Sequence, residues 1–191
     1  YFRYYKLANA EAITLSGQVS IRWIENKINQ KMNTILKTEE KDYVIASDTD
    51  SIYLHMGDLV EAVYKGREAT TEGIVSFLNK VCEVELEPYI ESSYQELAEY
   101  VNAYDQKMIM KRENIADRGI WTAKKRYILN VWDSEGVRYE EAKLKIMGIE
   151  AIKTSTPAPC RKMLKDAFKI LMSGTEEECI EYIESLSLIH I

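Results

Sequence analysis

Between Ala8 and Leu36 the apolar residues Ile21, Ile24, Ile28, Met32 and Ile35 recur at steps of three and four, which describes one face of a long amphipathic helix. At 1.5 Å per residue such a helix is about 45 Å long. Its stripe needs a partner of similar reach. Ile74, Leu78 and Val81, then Ile90, Tyr94, Leu97 and Val101, keep the same spacing with Pro88 between the two groups, and their Glu-rich faces suit solvent.

Two regions depart from the helical period. Tyr43 to His55 sets β-branched and aromatic residues around a polar tip, which reads as a hairpin with Ser47-Asp48-Thr49-Asp50 at or near its turn. After Asp105 the chain reads as strands: Lys107 to Ala116, Gly119 to Asp133, and, after the turn in "WDSEGVRY", Val137 to Met147, an antiparallel meander. Thr154-Ser155-Thr156-Pro157 then opens a helix whose buried face is expected at Leu164, Ala167, Phe168 and Leu171; Ser173-Gly174-Thr175 ends it, and a Glu-rich helix follows. Trp121, Trp132, Met108 and Met110 are expected in the core. The fold class is therefore α+β, an antiparallel sheet flanked by long helices.

A hydrophobic content of 46% is enough for a core, and no run of about 18 uncharged apolar residues marks a membrane span. Cys82, Cys160 and Cys179 are far apart and lack metal-type spacing, so they read as reduced, inert thiols of a cytoplasmic protein. The formal charge of −6 argues against indiscriminate nucleic-acid binding, yet Gln106 to Met172 carries 15 Lys and Arg against 8 Asp and Glu. A basic segment attached to an acidic one suits either a solvated surface or a polyanion.

"VIASDTDSIYLH", residues 44 to 55, places Asp48 and Asp50 one residue apart beside apolar runs. On a strand, positions i and i+2 share a face, so the two carboxylates can converge on one point, where a hard divalent cation such as Mg²⁺ relieves their repulsion. The residues alone allow three readings: an Asx-type turn, a sugar transferase holding a nucleotide-sugar through D-x-D and a metal, or a phosphoryl-transfer site.

"SDTDSIY" resembles the Y-G-D-T-D-S motif in the palm of family B DNA polymerases. "FRYYKLANAEAITLSGQ" is similar to the helix just after the fingers motif of the T-even-phage replicative type, and "WTAKKRYILNVWDSEGVRYEEAKLKIMGIEAIKTSTP" resembles its K-K-R-Y hairpin and the crossing into the thumb. The segments match in order over about residues 1 to 185. The resemblance implies template-directed DNA synthesis as part of a larger polymerase, with two Mg²⁺ ions, primer-template DNA and deoxynucleoside triphosphates as partners, no membrane, and a sliding clamp left open; the alternative it leaves is a non-catalytic DNA-binding module derived from a polymerase. The implied place is the cytoplasm, that of the host if the protein is phage-encoded. By the same resemblance Asp50 bridges the metals, Asp48 is a nearby ligand or electrostatic partner, Glu113 is a further acid beside the primer end, and Thr49 and Ser51 lie at the nucleotide. Lys125 and Tyr127 contact the duplex first, with Lys124 and Arg126 on its backbone; strand alternation is expected to put Ala123, Lys125 and Tyr127 on one face.

The chain departs from the family at Lys111, where the phage pattern has an acid, and at Ala46-Ser47, which replace Tyr-Gly. The resemblance divides the chain into the C-terminal part of a palm (1–152) and the start of a thumb (153–185). Residues 186–191, "LSLIHI", are what CTG TCT CTT ATA CAC ATC encodes, matching a common sequencing adaptor, and are read as its translation. The family's other metal-bridging Asp and its triphosphate-binding Lys and Arg belong upstream of Tyr1, so this segment alone is expected to extend no primer.

Overall fold

The computed structural model describes residues 6–188 and divides into two compact units, Tyr1–Arg112 and Glu113–Ile191. The architecture is α+β, as expected.

The first unit is built on helix α1, Leu7–Leu36. Its buried residues are Ile24, Ile28 and Met32, each wholly inaccessible. The stripe ends one residue off the expected pattern: Leu36, a step of four beyond Met32, packs on the core while Ile35 is exposed, and Lys37 in the left-handed region (φ 55) closes the helix. A hairpin of β1 (Val44–Asp48) and β2 (Ser51–Leu54) follows, then the short helix α2 (Gly57–Tyr64).

The partner for α1 is one nearly continuous helical run, α3 (Thr71–Val81), a π-helical turn (Cys82–Leu86) and α4 (Glu87–Tyr100). Pro88 does not break it. The Glu87 N–H reaches back five residues to the Cys82 carbonyl, and helical structure resumes at once with the proline in the first turn of α4. Leu86, Ile90, Tyr94 and Leu97 close over Ile24, Ile28, Met32, Tyr43 and Val44, and the Trp23 indole N–H donates to the Ser93 carbonyl at 2.8 Å. Val101, expected on this face, is exposed beyond the end of α4. Burial pushes the Cys82 thiol up to about 11, so it is protonated and unreactive near neutral pH.

The second unit holds a three-stranded antiparallel sheet in the order β3 (Asn114–Ala123), β4 (Arg126–Ser134), β5 (Val137–Met147). The meander is the one expected, but its first break is not. Residues 107–113 are irregular, β3 runs straight through Gly119, and the turn falls at Lys124-Lys125. Gly119 is not punctuation: a Cβ there would meet the Trp121 ring at 2.7 Å and Leu129 at 2.8 Å, so the missing side chain makes room for that indole. The turn "SEG" behaves as read, with Glu135 (φ 52) and Gly136 (φ 87) as its two central residues. Buried Asp133 braces it, accepting from the Gly136 N–H at 3.0 Å and the Arg138 guanidinium at 3.0 Å.

Beyond the sheet lie a 3₁₀ turn (Glu150–Ile152), α5 (Ala158–Ser173) and α6 (Glu176–Leu188). Leu164 and Phe168 pack as expected against Ile128, Ile149 and Ala151; Met172 fills the place assigned to Leu171, which is exposed. Arg118 of β3 donates to the Met172 carbonyl at 2.8 Å, tying the end of α5 to the sheet. Thr175 and Glu178 form a capping box that starts α6. Trp121 and Trp132 are half-buried and Met110 packs on the first core, whereas Met108 is exposed. Of the six C-terminal residues read as adaptor, 186–188 continue α6 and 189–191 lie outside the described residues.

Candidate functional site

The D-T-D hairpin stands on the long helix. Asn29 and Asn33, one turn apart on α1, hold the segment that feeds β1: the Asn29 side-chain oxygen accepts the Tyr43 and Val44 N–H groups at 2.8 and 3.0 Å. Tyr43 is fully buried, and its hydroxyl shares a 2.9 Å hydrogen bond with Thr38. From that base β1 pairs with β2 in the register Ala46 with Tyr53, Ser47 with Ile52 and Asp48 with Ser51. Ser47 is not among the residues of positive φ, so replacing the family's glycine strains nothing at that position.

The strain falls one step later. Asp48 is the last residue of β1, and Thr49-Asp50 form the whole loop; Thr49 has φ 52, and the Asp50 N–H donates to the Asp48 carbonyl at 2.6 Å. An i to i+2 bond around a β-branched residue of positive φ is a γ-type turn, a rare and strained conformation. The Thr49 hydroxyl donates to the Asp48 carboxylate at 3.0 Å, and the Ser51 hydroxyl to the Asp48 carbonyl at 3.2 Å. Strand alternation therefore does not bring the two carboxylates together, because Asp50 is not on the strand. A tight turn presents both instead, Asp48 half-buried and Asp50 exposed.

Among the described residues no group of three or more His, Cys, Asp or Glu is arranged to hold a metal ion. Two carboxylates are hard oxygen donors suited to Mg²⁺, which is commonly bound by one or two carboxylates with water and substrate phosphate supplying the rest. The pair thus fits such an ion as part of a ligand set.

Lys124 and Lys125 form the β3–β4 turn, both exposed, with Lys125 at φ 60. Alternation is interrupted there, so Lys125 belongs to the turn and Tyr127 to the strand after it. Tyr127 is buried in β4, across from Trp121 with ring centroids 6.5 Å apart. The turn is held from below by Gly148 at φ 66: a Cβ there would lie 2.1 Å from the Lys125 carbonyl oxygen. Arg126 is paired with the Glu150 carboxylate, which also accepts from Lys153 at 3.0 Å. These two cations, the Lys153 bond first, hold the Glu150 carboxyl below its usual range.

Glu113 opens the second unit just before β3, paired with Lys145 of β5. That hydrogen bond holds its carboxyl below the ordinary 4.5. A depressed carboxylate stabilises the fold above its ordinary value and loses that contribution as pH falls through the lower, folded one. Since Glu113 is about half exposed, the contribution stays within the ~0–1 kcal/mol of surface pairs. In Lys145→Gln the Glu113 carboxyl is expected to titrate closer to 4.5, read from its carboxyl carbon by NMR. An unmoved titration would show that Lys145 is not the cause.

Sequence reasoning missed Asn29, Asn33, Glu150 and Gly148 as determinants of the site. Only Gly148 carries a local signal, a glycine directly after a strand.

No family model matches the chain. Two curated proteins do, both described as DNA-directed DNA polymerase: that of Escherichia phage RB69 is 42% identical over 184 residues, 92% of this chain, and that of Enterobacteria phage T4 is 39% identical over 193 aligned positions, 97% of this chain. The chain spans 20% and 22% of the length of these relatives. In sequence the chain is similar to one segment of these T-even-type phage DNA polymerases.

Proposed function

We propose that this chain supplies the metal-binding hairpin and a duplex-contacting turn of a template-directed DNA polymerase, with 1–152 as the C-terminal part of the palm and 153–185 as the start of the thumb. The observation that carries the reading is the presentation of Asp48 and Asp50 on one tight turn in a chain 42% identical to a phage DNA polymerase segment. Asp50, exposed at the tip, and Asp48, oriented by the Thr49 hydroxyl, would hold Mg²⁺. When bound, two such ions would supply activation of the primer 3′-hydroxyl and neutralisation of charge on the departing pyrophosphate. Thr49 and Ser51 set the turn beside the triphosphate, and Glu113 contributes a further negative charge near the primer end.

Lys124 and Lys125 serve as phosphate and minor-groove donors at the turn, and Tyr127 is the buried support beneath them. Arg126 reaches phosphate by exchanging partners with Glu150. Glu150→Gln is accordingly expected to raise affinity for duplex with a recessed 3′ end and to steepen the dependence of log K on log salt by up to about 0.9 for each further phosphate neutralised. Fluorescence anisotropy across a salt series measures it; an unchanged slope would show that neither Arg126 nor Lys153 reaches DNA.

The reading as a whole is tested on the purified chain and on the complete polymerase. The 191-residue chain is expected to bind the recessed duplex in a salt-dependent manner and to extend no primer, whereas the complete protein extends it. Salt-independent or absent duplex binding, with turnover of a nucleotide-sugar instead, would favour a D-x-D glycosyltransferase.

A further inference from the structure

We infer that Asn29 is a positioning residue for the Asp48-Thr49-Asp50 turn, with Asn33 as its brace; the inference rests on the polymerase reading of that turn. A two-stranded hairpin is marginal by itself, so what aims the tip of β1 and β2 is their anchorage at the base. That anchorage consists of two carboxamides: Asn33 has both donors and both acceptor positions engaged, and Asn29 both acceptor positions and one donor.

The Asn29 oxygen spends both lone pairs on the Tyr43 and Val44 N–H groups, and its amino group donates to the Asp42 carboxylate at 3.0 Å. The Asn33 oxygen accepts from the Thr38 hydroxyl at 2.7 Å and the Lys41 N–H at 3.0 Å. Its amino group donates to the Asn29 and Lys41 carbonyls, both at 2.8 Å. The two side chains lie one helical turn apart on a face rigidified by the packed core, so they form a fixed rail along which 38–44 is laid.

The lever arm makes this matter for chemistry. From Val44 to Asp48 the strand runs about 13 Å at 3.3 Å per residue, so a 10° swing at the base moves the tip by roughly 2 Å on that rise. Metal–ligand distances tolerate only about ±0.2 Å, and misplacing a reacting group by about 1 Å can lower a rate on the order of a hundredfold. Loss of Asn29 leaves two strand-initiating N–H groups without their acceptor and lets the base swing, while the apolar core of the unit remains.

Asn29→Ala, Asn29→Asp and Asn29→Asp combined with Asp42→Asn test this in two settings. In the complete polymerase Asn29→Ala is expected to lower kcat by about a hundredfold and to raise the Mg²⁺ concentration for half-maximal rate, with Kd for primer-template unchanged. Asn29→Asp keeps the acceptor but sets a second carboxylate against Asp42; it is expected to be impaired and to recover when Asp42→Asn restores an amide–carboxylate pair. In the 191-residue chain, amide hydrogen exchange in Asn29→Ala is expected to quicken from Tyr43 to Ser51 and to stay slow from Ile90 to Leu97.

The inference is overturned by an unchanged Mg²⁺ requirement and rate, by failure of the double variant to recover, or by exchange that quickens equally through α4, the mark of a purely structural role. Asp50→Asn in the same assays separates the two levels: if it extends primers normally the polymerase reading of the turn fails, while the exchange pattern still reports whether Asn29 holds the hairpin.

Discussion

Primer extension by the complete polymerase is expected to fall on the order of a thousandfold when Asp50 is replaced by Asn, with its hold on primer-template DNA intact. Among the described residues the exposed Asp50 carboxylate makes no hydrogen bond or ion pair; the bond that shapes the turn comes from its backbone N–H to the Asp48 carbonyl, and an asparagine keeps that bond. What changes is one negative charge and one hard oxygen donor at the place where charge must be neutralised. Asp48→Asn is expected to cost less in rate and more in stability, since the half-buried Asp48 accepts from the Thr49 hydroxyl as a carboxylate, a charge-assisted bond that a neutral amide oxygen makes more weakly. Single-turnover extension, with duplex binding measured separately, resolves the two. A variant at Asp50 that extends primers at the parent rate would remove this turn from the chemistry.

Gly148→Ala carries the largest expected loss of stability, about 3 kcal/mol. The left-handed conformation at φ 66 accounts for about 1–2 kcal/mol of it in an L-residue. Forcing a methyl against the Lys125 carbonyl oxygen adds about 1–3 kcal/mol of overpacking. The neighbour is backbone and cannot rotate away, so the Lys124-Lys125 turn must lift. Urea unfolding of the chain should show a lower midpoint with unchanged slope, and duplex affinity should fall with it. A midpoint within experimental error of the parent would mean that β5 and the turn are not in contact in solution.

These two sites differ in how far the sequence alone reaches them. The carboxylates were legible because a paired D-x-D beside apolar runs is chemically odd, and the ordered motifs after it resembled one family. Their geometry was not, since a γ-type turn around Thr49 contradicts the residue's own preferences and is held by the hairpin. The long helix announced itself through repeated steps of three and four. The β3–β4 turn did not, because Lys124-Lys125 carries no Gly, Pro or Asn, and its support comes from a glycine at the far end of β5. Gly119 misled for the complementary reason: it looks like a break but serves the packing of Trp121. Asn29 and Asn33 were silent, as asparagines on a helix are ordinarily solvated and only the docked loop gives them partners.

The π-helical turn at Cys82–Leu86 bears on how this protein can change its length. Leu78, Cys82, Leu86, Ile90 and Tyr94 follow one another at steps of four, which on an ideal helix at 100° per residue drifts by about 40° each time. The wide turn absorbs part of that drift, as one extra residue within the turn does. Removing it by deletion would restore regular hydrogen bonding and rotate the downstream apolar positions Ile90, Tyr94 and Leu97 away from α1. The loop at 65–70 can therefore change length without turning this face, while the count of residues from Leu78 to Tyr94 sets which side chains meet α1.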